Sequence, residues 1–326
     1  MSRPFFAGIL FCVLGLSFLH AQSAGSAAGR ENPRVLAPPQ FRGGVDLVAL
    51  DVCVKHHDGK PTVGLNPEDF LILENEVPQR IAMFSTAGRV PLAIVLLVDN
   101  SRSMFGTALD RAKAAGAKFI DILRTDDLVE IMSFNERANL RYELGADHEQ
   151  AKESLNSISA AGATRLYEAV LVAVRDLERA ERHRTTEYRN VVIVLSDGED
   201  TNSRLPFDDV LEDVRRSGVI VYTISLRPKH QHQTGAPLWP MNLLAFDTGG
   251  RAVAIHDLEG LAKTYEDINT ELVNLYRIGY VPSNAMRDGS WRAISIRVPS
   301  ATLVVRTRSG YYAPRLSSAI SQQPTR

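Results

Sequence analysis

Pro91-Leu-Ala-Ile-Val-Leu-Leu-Val98, running directly into Asp99-Asn-Ser-Arg-Ser103, is the stretch that decides the fold of this chain. A nearly unbroken apolar run of this length is what a strand carries when helices cover both faces of its sheet. It predicts a central strand. Downstream, Leu109, Ala112, Ala115, Phe119 and Leu123 recur at helical spacing, and Leu128 to Phe134 returns to strand. The alternation goes on with Leu166, Ala169, Val170, Ala173, Val174 and Leu177 on one helical face, a buried strand at 191–195, and a helix at 207–216 closed by Ser217-Gly218. A further buried strand at 219–226, a shorter one at 251–255 near a sheet edge and a last helix at 258–274 complete the series. Strands separated by helices of this length predict an α/β fold with a doubly wound, mostly parallel sheet.

Outside this region the pattern is all strand. Before it, 45–55 reads as a strand, Asp58-Gly-Lys-Pro61 as a reversal, and 70–74 and 79–85 as two short strands around a polar turn. Three short strands cannot cover two faces by themselves. After it come strands at 276–281, 291–298 and 302–308, with Asp288-Gly289 and Pro299-Ser300 as turns. In the second of these, Arg292, Ile294, Ile296 and Val298 share one face. The two groups are therefore expected to meet as one smaller, discontinuous β domain, each supplying what the other lacks.

The N-terminus reads as an export signal: one cation in Met1-Ser-Arg-Pro4, then an apolar run from Phe5 to Leu19, then Leu19-His-Ala-Gln22. The run falls short of the roughly 20 residues a membrane-spanning helix needs. Cleavage is expected after Ala21, giving a secreted or periplasmic protein with no stable membrane insertion. The cut removes Cys12 and leaves Cys53 alone, so no internal disulfide is expected, and the apolar run around Cys53 marks it as a small buried hydrophobe. The expected organisation is a signal peptide at 1–21, a flexible leader rich in Ala, Gly, Ser and Pro at 22–40, N-terminal β strands at 41–89, the α/β domain at 90–274, C-terminal β strands at 275–313 and a tail at 314–326.

The chain has 326 residues, with 37 Lys+Arg against 38 Asp+Glu. A charge balance this even gives no basic surface for nucleic acid. With 44% hydrophobic and 23% charged residues the composition is that of a folded protein and excludes wholesale disorder and a multi-span membrane protein.

In open α/β sheets ligands bind beyond the carboxyl ends of the strands. Two such ends carry chemistry here: Val98 leads into Asp99, Ser101 and Ser103, and Leu195 leads into Ser196-Asp197-Gly-Glu-Asp200. Between them Gly162-Ala-Thr164 opens the helix that begins near Arg165. Converged, these segments offer two carboxylates, Asp99 and Asp197, and three hydroxyls, Ser101, Ser103 and Thr164. Hard oxygen donors without sulfur or imidazole suit Mg2+ or Mn2+, and Ca2+ less. With few carboxylates around it, such an ion stays electrophilic and attracts an external carboxylate.

On these residues the chain resembles a von Willebrand factor type A (VWFA) domain with a metal-ion-dependent adhesion site. The Asp-x-Ser-x-Ser motif of that family falls on Asp99, Ser101 and Ser103, its loop threonine on Thr164, and its later aspartate on Asp197. The resemblance implies that the serines, and often Thr164, touch the ion directly, that the aspartates act partly through water, and that a Glu or Asp of a protein partner completes the shell. It covers roughly residues 90–274. The flanks resemble those of the secreted bacterial VWFA-related acidobacterial domain family, in Asp69-Phe70, Glu74-Asn-Glu-Val-Pro-Gln79, Tyr280-Val-Pro282, Trp291-Arg292 and Arg308-Ser-Gly-Tyr-Tyr312. That family implies no reaction, so a non-enzymatic binding module is expected. A metal-dependent hydrolase using the same ion, and a structural module with a vestigial site, stand as alternatives.

Other patterns carry less. His148-Glu149 lacks the second histidine of a zinc-protease helix because Lys152 stands there, and it reads as a polar helix start. His230-Gln-His232 and His56-His57 read as solvated turns. Met104 occupies the place where a calcium-binding loop starting at Asp99 needs glycine. Asp197, Glu199 and Asp200 lack a nucleophile placed beside them.

Overall fold

The computed structural model describes residues 47–86, 90–197, 200–226, 239–255 and 258–315. The expected signal peptide and leader, His230, His232, Glu199 and the tail beyond Arg315 lie outside the described residues. In chain order the strands and helices are β1 (Val48–His56), β2 (Leu71–Glu74), β3 (Val77–Gln79), β4 (Ile81–Ser85), β5 (Leu92–Asp99), α1 (Thr107–Asp121), β6 (Leu128–Phe134), β7 (Ala138–Gly145), α2 (His148–Leu155), α3 (Leu166–His183), β8 (Arg189–Ser196), α4 (Phe207–Ser217), β9 (Ile220–Leu226), α5 (Trp239–Thr248), β10 (Ala252–Ile255), α6 (Leu258–Val273), β11 (Tyr276–Tyr280), β12 (Trp291–Arg297), β13 (Leu303–Arg306) and β14 (Gly310–Tyr312).

Six strands form one sheet in the order β10-β9-β8-β5-β6-β7, parallel throughout except for β7 at the edge. Every residue of β5 is buried. Its alternate side chains enter two different cores: Ile94, Leu96 and Val98 pack with α1, α2 and α6, while Ala93, Val95 and Leu97 pack with α3, α4 and α5. That two-sided burial is the physical cause of the unbroken apolar run. The doubly wound α/β sheet expected from the sequence is the observed architecture.

The winding reverses at β5. From there the chain moves out to β6 and β7 on one side, then returns across β5 to β8, β9 and β10 on the other. Such a switch point opens a crevice at the carboxyl ends of the strands it separates. Asp99 closes β5 and Ser196 closes β8, with Val98 and Leu195 paired in register just below them.

The flanking strands build two antiparallel sheets, β13-β1-β11-β4 and β14-β12-β2-β3, each mixing N- and C-terminal segments. They share one core. Leu50, Val52, Phe84 and Ile278 of the first sheet pack against Ile72 and Ile294 of the second. Cys53 is buried and burial raises its thiol pKa, in keeping with a small hydrophobe.

Buried ion pairs tie these strands to the α/β sheet. Arg189 at the start of β8 donates to Asp51 of β1 at 2.8 Å and to the Leu272 carbonyl at 2.7 Å. Glu271 of α6, 4% exposed, accepts from Lys55 of β1 at 2.9 Å and from Arg306 of β13 at 2.5 Å, with Arg251 at 3.4 Å. Charges removed from water need such partners to remain ionised.

Candidate metal centre

Burial and backbone donors fix Asp99. Its carboxylate is fully buried. Oδ1 accepts from the Ser101 amide at 2.8 Å, and Oδ2 accepts from the Ser196 hydroxyl of the neighbouring strand at 2.6 Å. Burial is the largest influence on its pKa and pushes it up to about 6, against the Ser196 and Ser101 hydrogen bonds, with the Asp197 charge adding to the rise. No Lys or Arg forms an ion pair with Asp99 among the described residues. A carboxylate held this way is short of positive charge.

Ser101 immediately precedes a single 3-10 turn at Arg102–Met104 that contains Ser103, and Met104 anchors this turn in the core. Their hydroxyls lie 3.0 Å apart, Ser101 buried and Ser103 exposed. Two oxygens at that separation on the rim of the crevice can face one small cation. The loop containing Thr164 is laced onto this turn: the Arg102 amide donates to the Gly162 carbonyl at 3.0 Å, and the Ala161 amide to the Asn100 carbonyl at 2.8 Å. Asn100 also donates through Nδ2 to the Ser159 carbonyl at 2.6 Å.

The segment after β8 closes on Thr164 from the other side. The Thr164 amide donates to the Thr201 hydroxyl at 3.0 Å, and its carbonyl accepts from the Thr201 and Asn202 amides at 3.1 and 2.9 Å. Asp200 accepts from the Leu166 amide at 2.8 Å and the Ser203 hydroxyl at 2.6 Å. Thus Asp200, one of the three acids clustered here in sequence, braces the start of α3. Thr164 itself is buried, and Asp197 is half-buried beside Ser196.

The five residues singled out by the sequence therefore lie on three loops that hydrogen-bond to one another at one edge of the sheet. Ser196 was not among them, yet it makes the shortest contact to Asp99. Its signal was present only as a hydroxyl one residue before Asp197. Among the described residues no group of three or more His, Cys, Asp and Glu is placed to hold a metal; the donors gathered here are mostly hydroxyls. His148 lies in the first turn of α2, capped by Asp147, with its ring against the Asp127 carbonyl at 3.0 Å. His57 is exposed, with its ring nitrogen 3.3 Å from the Ala301 carbonyl.

The chain is similar to several known proteins. Inter-alpha-trypsin inhibitor heavy chain H4 of Sus scrofa is 26% identical over 246 residues, which cover 71% of this chain and 26% of that protein. The chain thus spans about a quarter of that relative's length. The von Willebrand factor type A from Catenulispora acidiphila aligns over 85% of this chain and 76% of its own, at 14% identity and a TM-score of 0.49. Proximal thread matrix protein 1 from the mussel byssus, in a structure with a zinc-occupied MIDAS motif, aligns over 59% of this chain and 48% of its own, at 18% identity and a TM-score of 0.47. The family model for the von Willebrand factor type A domain matches residues 93–266, more than half of the sequence, and the chain belongs to that family.

Proposed function

We propose that this chain is an exported, non-enzymatic binding module that captures an acidic side chain of a protein partner through a divalent ion held by Asp99, Ser101, Ser103, Thr164 and Asp197. The observation that carries the reading is the fully buried Asp99 carboxylate, short of a counter-cation, at the floor of a rim of hydroxyls. The donor set fits a hard ion such as Mg2+ or Mn2+.

The chain's own residues set the character of the site. Ser196 and the Ser101 amide orient the Asp99 carboxylate, while the interlocked loops hold Thr164 and the Ser101–Ser103 turn in place before any ion arrives. Preorganised donors lower the cost of ordering on binding. When bound, the ion supplies an electrophilic centre that favours a partner's carboxylate over neutral groups. Export rests on the apolar run from Phe5 to Leu19. Among the described residues no helix is long and apolar enough to cross a membrane.

The test is a pull-down from the native exported fraction, run with Mg2+ and with chelator, using the wild-type chain and the double variant Asp99→Ala/Ser101→Ala. The reading expects partners retained only by the wild type with Mg2+. Retention that survives both chelator and the double substitution overturns it and favours contacts made by the flanking strands. Chelator-sensitive turnover of phosphoester or peptide substrates would favour the hydrolase.

A further inference from the structure

A cleft of about 890 Å3 lies where α4 meets the sheet containing β12 and β14. Among the described residues five arginines line it, Arg215, Arg216, Arg287, Arg308 and Arg315, and no acidic side chain does. In a chain whose charges nearly cancel, that is a local excess of one sign. The cleft is remote from the metal centre. α4 starts at Phe207, just past the loop that braces Thr164, and rises about 12–14 Å along its axis before Arg215 and Arg216 enter the cleft.

Two of the five cations are already engaged. Arg215 pairs with Asp247 and lies 4.8 Å over the Trp291 ring, while Arg216 pairs with Glu212 and lies 3.7 Å over the Tyr312 ring. These form a rigid wall. Arg308 and Arg315 make no ion pair among the described residues. Arg308 donates to the Ala49 carbonyl at 3.0 Å and lies 5.7 Å over the Tyr311 ring, but its Nε is buried without a hydrogen-bond partner. Arg308 thus lines the cleft as a cation that no carboxylate pairs with among the described residues.

Apart from Asn284 and the two tyrosines, Tyr311 and Tyr312, the rest of the lining is apolar. Met286 and Val281, two of the large hydrophobic residues left exposed, at 65% and 38%, both face this cleft. Its volume falls in the range of about 300 to 1,000 Å3 that holds small organic ligands. We infer that this cleft is a second, metal-independent binding site for a small organic anion, its carboxylate, phosphate or sulfonate meeting Arg308 and Arg315 and its apolar body resting against Met286 and Val281.

The test uses the full chain and the fluorescent dye 1-anilinonaphthalene-8-sulfonate, with its neutral analogue N-phenyl-1-naphthylamine as control. The sulfonated dye should bind saturably, one per chain, unaffected by chelator, and about tenfold more tightly than the neutral analogue. Arg315→Glu, on the exposed rim, and Arg308→Met should each weaken it by about tenfold, with far-ultraviolet circular dichroism unchanged in Arg315→Glu. Dodecanoate should displace the dye where acetate and dodecanol do not. Equal affinity for the neutral analogue, undiminished binding to Arg315→Glu, loss of binding on adding chelator, or displacement by acetate or dodecanol as effective as that by dodecanoate would overturn the assignment.

Discussion

Glu130 offers a measurable test of how the α/β core handles a misplaced charge. It lies on β6 in register with Val95 and shares a strand face with Met132 and Phe134, which pack into the core beneath α3. The residue is 5% exposed and its Oε1 has no hydrogen-bond partner. Burial, reinforced by Asp176 and opposed by Arg179, raises its pKa from the ordinary 4.5 to about 8. The folded protein therefore keeps the proton across a window in which the unfolded chain releases it. Stability falls as pH rises from about 4.5 to about 8 and levels off above that. At about 1.4 kcal/mol per unit, this group costs about 3 kcal/mol at pH 7 and under about 1 kcal/mol at pH 5. Urea unfolding of the wild type and Glu130→Gln, followed by circular dichroism at pH 5, 6, 7 and 8, reads the effect directly. The amide has its own cost, but that cost is the same at every pH and cancels in the comparison. The variant should gain about 2–3 kcal/mol on the wild type between pH 5 and pH 7. Parallel pH profiles for the two proteins would refute the reasoning.

Glu271→Gln should destabilise by about 3–5 kcal/mol in the same urea assay, because it leaves Lys55, Arg306 and Arg251 facing one another without a carboxylate. Burial alone would raise the pKa of Glu271, yet Arg306, Arg251 and Lys55 hold it below the ordinary value, so the carboxylate stays ionised; a loss under about 1 kcal/mol would refute its role as a clamp. Gly250→Ala should abolish folding, measured as loss of soluble protein and of the cooperative urea transition, since a Cβ there would lie 1.9 Å from the Val221 carbonyl oxygen. Gly218→Ala, at φ +70° behind α4 with no atom near its Cβ, should cost only about 1 kcal/mol, and an equal loss at both glycines would contradict this account.

The parts of the fold legible in the sequence are those where one physical constraint acts alone. β5 announces itself because both its faces are covered, and α3 and α4 because one stripe of each is. α5 escaped notice: Pro240-Met-Asn-Leu-Leu-Ala-Phe246 is apolar nearly all round, so the 3.6-residue period is lost. β7 escaped too, although Leu140, Tyr142 and Leu144 alternate with Asn139, Arg141 and Glu143 as in a half-exposed edge strand. At the crevice, Asp99, Ser101 and Ser103 stand together in the chain and could be read as a unit. Ser196 became meaningful only through the register that puts Leu195 beside Val98. The arginine cleft was invisible because Arg215, Arg308 and Arg315 come from separate segments of a chain with a net charge of −1.

The claim on which the functional reading depends is that three interlocked loops gather oxygen donors around a single divalent cation. Isothermal titration of Mn2+ into the full chain, alongside Asp99→Ala/Ser101→Ala, tests it most directly. The account predicts one ion bound per wild-type chain and none by the double variant, whose circular dichroism stays unchanged. A wild-type chain that takes up no ion, or a double variant that binds as tightly as the wild type, would contradict it.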